Sequence, residues 1–376
     1  MKIAVNTRML IKGKMEGIGY FTLESMKRIV LSHPEHEFTF IFDRPFDPSF
    51  IFAPNVKGVV IPPPARHPVL WFIWMEISLR LFFKKNKFDL FIGTDGYLPL
   101  SLSCKSIAVI HDINFEHYPQ DLPFFNRIYY RKFFPAFARK ADKIIAVSEF
   151  TRQDIIEKYK IAPSKISVAY NGVSEEFKPL DEAMIRETRN KFSRGKAYFL
   201  FIGAIHQRKN IANLLRAYEQ FRKENPDSEI LLLFAGAKRW WTEEMESVFQ
   251  SMEFKNDIIF TGRVSFEDLA QITASAFAVT YVSTFEGFGI PIVEGMKAGV
   301  PVITSNVTSM PEVAGNAALL CDPFSVESIA GAMKKMATDE NLRRELITKG
   351  LKRAQDFSWE ERRKRYGRES ILNSEF

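Results

Sequence analysis

Residues 276–305, AFAVTYVSTFEGFGIPIVEGMKAGVPVITS, constrain the fold more than any other part of this chain. The stretch opens with an apolar, β-branched run over 278–282 that reads as a buried strand. A turn holding Glu286, Gly287, Phe288 and Gly289 follows. Pro291 then sits where a first helical residue is expected, because its fixed φ suits that position and its missing N–H is not needed there. The helix is expected to end near Lys297, Ala298 and Gly299, and 300–304 reads as the next buried strand. The segment is therefore a β–α–β unit whose glycine-rich turn directs backbone N–H groups towards whatever lies above the helix N-terminus. Such an end favours anions, typically phosphate.

Glu286 and Glu294 give the unit its chemistry. Seven residues separate them, which puts one on the turn and the other in the first turn of the helix. A carboxylate there also serves simply as a partner of the helix dipole. Two acceptor-only groups flanking a phosphate-ready turn equally suit a ligand with two separated polyol groups, such as a ribose and a hexose on either side of a diphosphate.

The same alternation of strand and helix runs through the rest of the chain. Residues 2–7, 38–42, 58–61, 89–93, 106–110 and 143–147 read as strands, with helices near 20–32, 124–140 and 148–160. Ser148 is the expected N-cap of the last of these. Charged, apolar-poor sequence over 174–196 reads as a linker and a short helix. A second series then begins with strands at 198–203, 230–236 and 258–261. Two such series in 376 residues predict an α/β protein of two doubly wound domains with a cleft between them. The expected division is 1–175 and 176–358, followed by a basic helix within 359–376 that could cross back to the first domain.

A net charge of +7 fits an anionic ligand, an anionic membrane surface or nucleic acid. No RNP-like or other nucleic-acid module is visible, so nucleic acid is not an expected partner. Two helices, at 71–87 and 124–140, are both basic and aromatic. In the first, Trp71, Trp74, Met75 and Leu79 share one helical face and read as core. The alternative is a surface helix resting on an anionic membrane. The window 69–83 carries Glu76 and Arg80 and is too short to span a bilayer. The N-terminus reads as a strand and not as a signal peptide. Cys104 and Cys321 lack metal-ligand spacing, which makes a reducing cytoplasm the expected location.

Several loops fall on the carboxyl edges of the expected sheets, where α/β proteins bind ligands. Gly17 and Gly19 lie in the loop 11–19 after the first strand, either beside a phosphate or as an ordinary flexible loop. His111 and Asp112 directly follow the strand 106–110. Arg208 and Lys209 lie in the loop 204–210 of the second domain. Paired cations there could stabilise the charge growing on a departing diphosphate, or be a solvated surface pair. The sequence contains no Asp-x-Asp pair, so the usual carboxylate bridge for a divalent metal on a nucleotide sugar is missing, and neither a metal nor a cofactor is expected. It has no G-x-S-x-G elbow or Walker A loop, and no G-x-G-x-x-G in the first strand-to-helix loop. Common hydrolases, P-loop kinases and dehydrogenases are therefore disfavoured.

FEGFGIPIVEGMKAGVPVITS at 285–305 resembles the E-x7-E motif of the family 4 retaining glycosyltransferases. GAIHQRKNI at 203–211 is similar to that family's phosphate-binding loop, in the RKN form found among mannosyltransferases. GIG at 17–19 resembles its N-terminal donor-phosphate loop, and VIHD, VSEFTRQDI and YNGV occur in the family's order. The resemblance implies a GT-B fold, with two Rossmann-like domains facing each other across a cleft. The C-terminal domain would hold most of the donor and the N-terminal domain the acceptor. It implies Glu294 on the donor ribose and Glu286 on the transferred sugar, near the N–H groups of Gly287, Phe288, Gly289 and Ile290. Arg208 and Lys209 would bind the diphosphate, Gly17 and Gly19 would lie by the donor phosphates, and His111 near the reacting carbon. Many members carry an arginine just after the glycine equivalent to Gly203, where this chain has Ala204, so the phosphate role passes to Arg208 and Lys209.

The implied reaction is retaining, metal-independent transfer of a hexose from GDP-mannose or a UDP-sugar to a glycan or lipid-linked acceptor. It would serve cell-surface polysaccharide synthesis, in the cytoplasm or at the inner face of the cytoplasmic membrane. The donor phosphate would help take the acceptor proton. Two other readings share these features: a GT-B nucleotide-sugar epimerase that needs no acceptor, and a non-catalytic basic protein binding membrane or RNA.

Overall fold

A computed structural model describes residues 1–359 and separates into two units between Asn171 and Gly172. The basic helix expected near the C-terminus lies outside the described residues, apart from Trp359. That indole is buried and stacks on Gly172, where an added Cβ would come within 2.2 Å of the ring.

The first unit is built on β1 (Lys2–Asn6), β2 (Glu37–Phe42), β3 (Val56–Val60), β4 (Leu90–Gly93), β5 (Lys105–Ile110), β6 (Lys143–Ala146) and β7 (Ile166–Val168), in the order β3-β2-β1-β4-β5-β6-β7. The second is built on β8 (Tyr198–Ile202), β9 (Leu231–Ala235), β10 (Ile258–Gly262), β11 (Ala278–Tyr281), β12 (Val302–Ser305) and β13 (Leu319–Cys321), in the order β10-β9-β8-β11-β12-β13. All of the pairings in both sheets are parallel. Helices cover both faces of such a sheet, so its strands are continuously apolar instead of alternating. Ile3, Ala4 and Val5 of β1 and Tyr198 to Phe201 of β8 are all completely buried. In each sheet the strand order reverses once, between β1 and β4 and between β8 and β11. Loops leaving the carboxyl ends of the strands diverge at such a point and open a crevice.

The first helix, Gly17–Ser32, begins three residues earlier than its apolar pattern suggests. Gly17 and Gly19 therefore belong to its first turn and not to the loop. Gly19 also lets the turn press on the preceding loop, since a Cβ there would lie 2.7 Å from the Met9 carbonyl oxygen. The Trp71 helix runs Pro68–Phe72, Ile73–Ser78 and Leu79–Lys85, with the middle segment wound as a π-helix. Trp71, Trp74, Met75 and Leu79 are buried, and the Trp74 indole N–H donates to the Ile61 carbonyl at 2.8 Å. Ser148 caps the helix Glu149–Tyr159 by accepting the Thr151 N–H. In the second unit, the helix Ile211–Glu224 buries Ile211, Leu214, Leu215 and Tyr218, a single stripe at helical spacing.

Candidate active site

The turn after β11 and the loop after β8 meet at the reversal point of the second sheet. Gly203, at φ +133°, leaves β8 beside Gly236, where an added Cβ would sit 1.9 Å from the Gly203 carbonyl oxygen. Only glycine permits this crossing of the two strand ends. The loop then tightens into a 3₁₀ turn, Gln207–Lys209, capped by His206 Nδ1, which accepts the Arg208 N–H. Asn210 takes up a left-handed conformation at φ +61°, which asparagine tolerates. Its amide donates to the carbonyls of Val282, at 3.0 Å, and Pro323, at 2.6 Å. From the other side, Thr284 donates to the Arg208 carbonyl through both its N–H, at 2.9 Å, and its hydroxyl, at 3.1 Å. The cationic loop is thus stitched to the end of β11.

This stitching brings Arg208, Lys209 and Glu286 into one ion triad. Glu286 Oε2 accepts from Arg208 Nη1 at 2.9 Å, and Oε1 accepts from Lys209 Nζ at 2.6 Å. Lys209 Nζ also donates to the Tyr281 hydroxyl, and Arg208 Nη1 to the Phe285 carbonyl at 3.1 Å. Burial raises the Glu286 pKa, but the two cations more than reverse that and hold it at about 2. The carboxylate is charged throughout the physiological range, and the triad as a whole carries one net positive charge. Behind the turn, Ser309 donates to the Glu286 carbonyl at 2.8 Å, and the Glu286 N–H donates to Thr308 Oγ1.

The turn ends at Gly289, φ +94°, which caps the helix Ile290–Lys297. That start makes Glu294 the fifth helical residue. The expectation of a first-turn carboxylate is corrected accordingly: Glu294 lies one turn in, too far to act chiefly as a dipole partner. Its carboxyl group is half-buried and has no hydrogen-bond or ion-pair partner among the described residues. Burial alone pushes its pKa up to about 8. The two glutamates of the motif therefore lie in opposite environments, one saturated with cations and one waiting for donors. Phe288 contributes only its backbone to this surface, because its ring is buried against Phe357.

Gly17, Gly19 and His111 lie in the first unit. His111 follows β5, and its Nε2 lies 2.9 Å from the Thr94 carbonyl. A carbonyl only accepts, so Nε2 carries a proton. The ring stands edge-on to Phe21 of the helix Gly17–Ser32, with centroids 4.9 Å apart. Tyr281, Asn210, Thr308 and Ser309 were not singled out by sequence reasoning. Of these, Asn210 carried a usable signal, a polar residue at the entry of an apolar helix.

Among family models, "Glycosyl transferases group 1" matches residues 184–353 and "Glycosyltransferase Family 4" matches 30–177. An O-antigen chain mannosyltransferase B of Escherichia coli is 30% identical over 361 residues, which cover 93% of this chain and 94% of that one. This chain belongs to the family 4 glycosyltransferases. An O-antigen chain mannosyltransferase of Salmonella typhimurium, RfbU, is 28% identical over 76% of each chain. Anabaena HepE, solved in complex with UDP and glucose, superimposes with a TM-score of 0.74 at 17% identity, covering 98% of this chain and 99% of that one. The fold of this glycosyltransferase is accordingly GT-B, with two Rossmann-like domains.

Proposed function

We propose that this glycosyltransferase moves mannose from GDP-mannose to a mannose-bearing glycan or lipid-linked acceptor, with retention of anomeric configuration, in the synthesis of a cell-surface polysaccharide. The observation that carries the reading is the end-to-end likeness to an O-antigen chain mannosyltransferase. The site's electrostatics support it. In this proposal Arg208 and Lys209, with the N-terminus of the helix Ile290–Lys297 and the N–H groups of Gly287, Gly289 and Ile290, stabilise the diphosphate as its bond to the sugar breaks. Glu286 holds the two cations in register while its carboxylate faces the transferred sugar. Glu294 accepts from the ribose hydroxyls. His111 lies by the reacting carbon, Gly17 and Gly19 by the donor phosphates, and a donor phosphate oxygen takes the acceptor proton. These groups carry the charge that a metal would otherwise carry, so neither metal nor cofactor is required. Incubation of the protein with GDP-mannose and octyl α-mannoside in EDTA should yield an α-linked product by NMR. A β-linked product, or transfer only from another nucleotide sugar, would refute the reading.

The same proposal places the enzyme at the inner face of the cytoplasmic membrane. No helix among the described residues is long and apolar enough to cross a bilayer. The first unit nevertheless exposes Val69, Phe72, Ile77 and Leu81 on one basic helix and Phe124, Phe125 and Ile128 on another. Phe72 and Phe133 are in ring contact and join the two helices. Arg80, Lys84, Lys85, Arg127, Arg131 and Lys132 lie on the same two helices. Apolar side chains set among cations are what an anionic lipid surface binds. The protein should float with vesicles containing phosphatidylglycerol and not with phosphatidylcholine alone, and Phe125→Asp should abolish flotation. Equal recovery on both vesicles would count against membrane attachment.

A further inference from the structure

The reversal point of the first sheet carries a second built polar site. β1 and β4 are paired there in register, Asn6 beside Gly93, so the residues just past their carboxyl ends face each other. Arg8 Nε donates to Asp95 Oδ2 at 2.7 Å, and Asn6 Nδ2 donates to Asp95 Oδ1 at 3.0 Å. The Tyr97 N–H approaches the same Oδ1 at 3.4 Å, and the guanidinium lies 5.3 Å over the Tyr97 ring centroid. Thr94 Oγ1 donates to the Asn6 carbonyl at 2.8 Å, and the Thr94 carbonyl is the group that orients His111. The Arg8 side chain is 14% exposed and that of Asp95 2%.

This anchoring uses only the inner nitrogen of the guanidinium. Neither terminal nitrogen of Arg8 has a hydrogen-bond partner among the described residues, and neither is sealed from solvent. Four N–H donors in a fixed plane are therefore presented at the crevice, and Asp95, which anchors them, directly follows Thr94, the residue whose carbonyl holds His111. A purely structural buried arginine would be expected to satisfy those donors. The ion pair is internally neutral, and its neighbour after β2 is another neutral pair, Arg44 on the fully buried Asp43. A phosphate brought to this edge would face two carboxylates. A neutral polyol would meet a planar donor fork with acceptor oxygens close by.

We propose that Arg8 is a binding residue for the acceptor, donating through its terminal nitrogens to adjacent hydroxyl groups of the acceptor sugar, with Asp95 as its positioning residue. The assignment of the ligand as a sugar rests on the transferase reading above.

Arg8→Lys tests this, because lysine can keep the ion pair with Asp95 but lacks the fork. The KM for octyl α-mannoside should rise roughly 10- to 100-fold, the range for hydrogen bonds made by a charged donor. GDP affinity, measured by calorimetry, should stay within a factor of about two because Arg208, Lys209 and Glu294 lie in the other unit. Arg8→Gln should show the same split if the lysine variant folds poorly. Direct titration of octyl α-mannoside without donor separates this inference from the proposed function. Saturable binding by the wild type that is lost in Arg8→Lys supports the site even if GDP-mannose proves to be the wrong donor. An unchanged KM, no mannoside binding by the wild type, displacement of the mannoside by inorganic phosphate, or a parallel loss of mannoside and GDP affinity would each overturn it.

Discussion

Glu286→Ala should lower kcat roughly 100- to 1,000-fold, the usual effect of removing one preorganised electrostatic element. Two consequences combine. In the proposed mechanism the transferred sugar loses its carboxylate, and Arg208 and Lys209 lose the anion that holds them 2.9 and 2.6 Å from its oxygens. The second consequence has a stability signature, since breaking a buried ion pair from one side costs about 3 kcal/mol or more. The sign with pH follows from the direction of the shift. Folding depresses the Glu286 pKa from 4.5 to about 2. Its contribution is therefore fully present above the unfolded value and is lost as pH falls through the folded one. Denaturant midpoints of wild type and variant should be well separated at neutral pH and converge in acid. Glu286→Gln keeps the shape without the charge and should still lose most of the turnover. Near-normal kcat in both variants would remove Glu286 from the mechanism.

Glu294→Gln should have opposite effects on binding and on stability. Burial raises the folded-state pKa of Glu294 from 4.5 to about 8. Over that window the unfolded chain binds fewer protons than the folded one, so wild-type stability falls as pH rises. The slope is about 1.4 kcal/mol per pH unit. An amide at this position never ionises, so the variant should be more stable than wild type in alkali, by several kcal/mol, and little different in acid. Its affinity for GDP should nevertheless drop. In the wild type, ribose hydroxyls would favour the carboxylate form, so nucleotide binding near neutrality should release a proton and tighten as pH approaches 8. A variant no more stable than wild type at high pH would show that the carboxyl is solvated and not buried.

Much of this was legible in the sequence because the informative features are local. The apolar run over 278–282, the glycines of the turn, Pro291 and the next apolar run fix a β–α–β unit within thirty residues. β1 to β6 and β8 to β10 follow from similar runs, since parallel strands covered on both faces need no alternation to be recognised. β13, Leu319–Cys321, escaped notice because three residues carry no period. Helices such as Glu243–Ser251 and Val326–Thr338 were passed over although each is capped by a hydroxyl side chain, Thr242 and Ser325. The capping residues were the available signal.

The site divides along the same line. Glu286, Glu294, Arg208 and Lys209 could be named from spacing and residue type. That Glu286 would be clamped by both cations, while Glu294 would have no partner, depends on how the loop after β8 packs on the end of β11. That packing is set by Asn210, Thr284 and Gly236, which are distant from one another in sequence. Arg8 and Asp95 show the limit most plainly. They stand 87 positions apart, and nothing local in TRML or TDGY indicates that the two form one ion pair at a sheet reversal.

In the proposed mechanism the second unit holds a nucleotide sugar with Glu294 on its ribose. Calorimetric titration of GDP, UDP and ADP into the wild type and Glu294→Gln tests it most directly. The expected result is saturable binding of GDP in preference to UDP and ADP, weakened roughly 10- to 100-fold in Glu294→Gln. No nucleotide binding by the wild type, or equal GDP affinity in the two proteins, would contradict it.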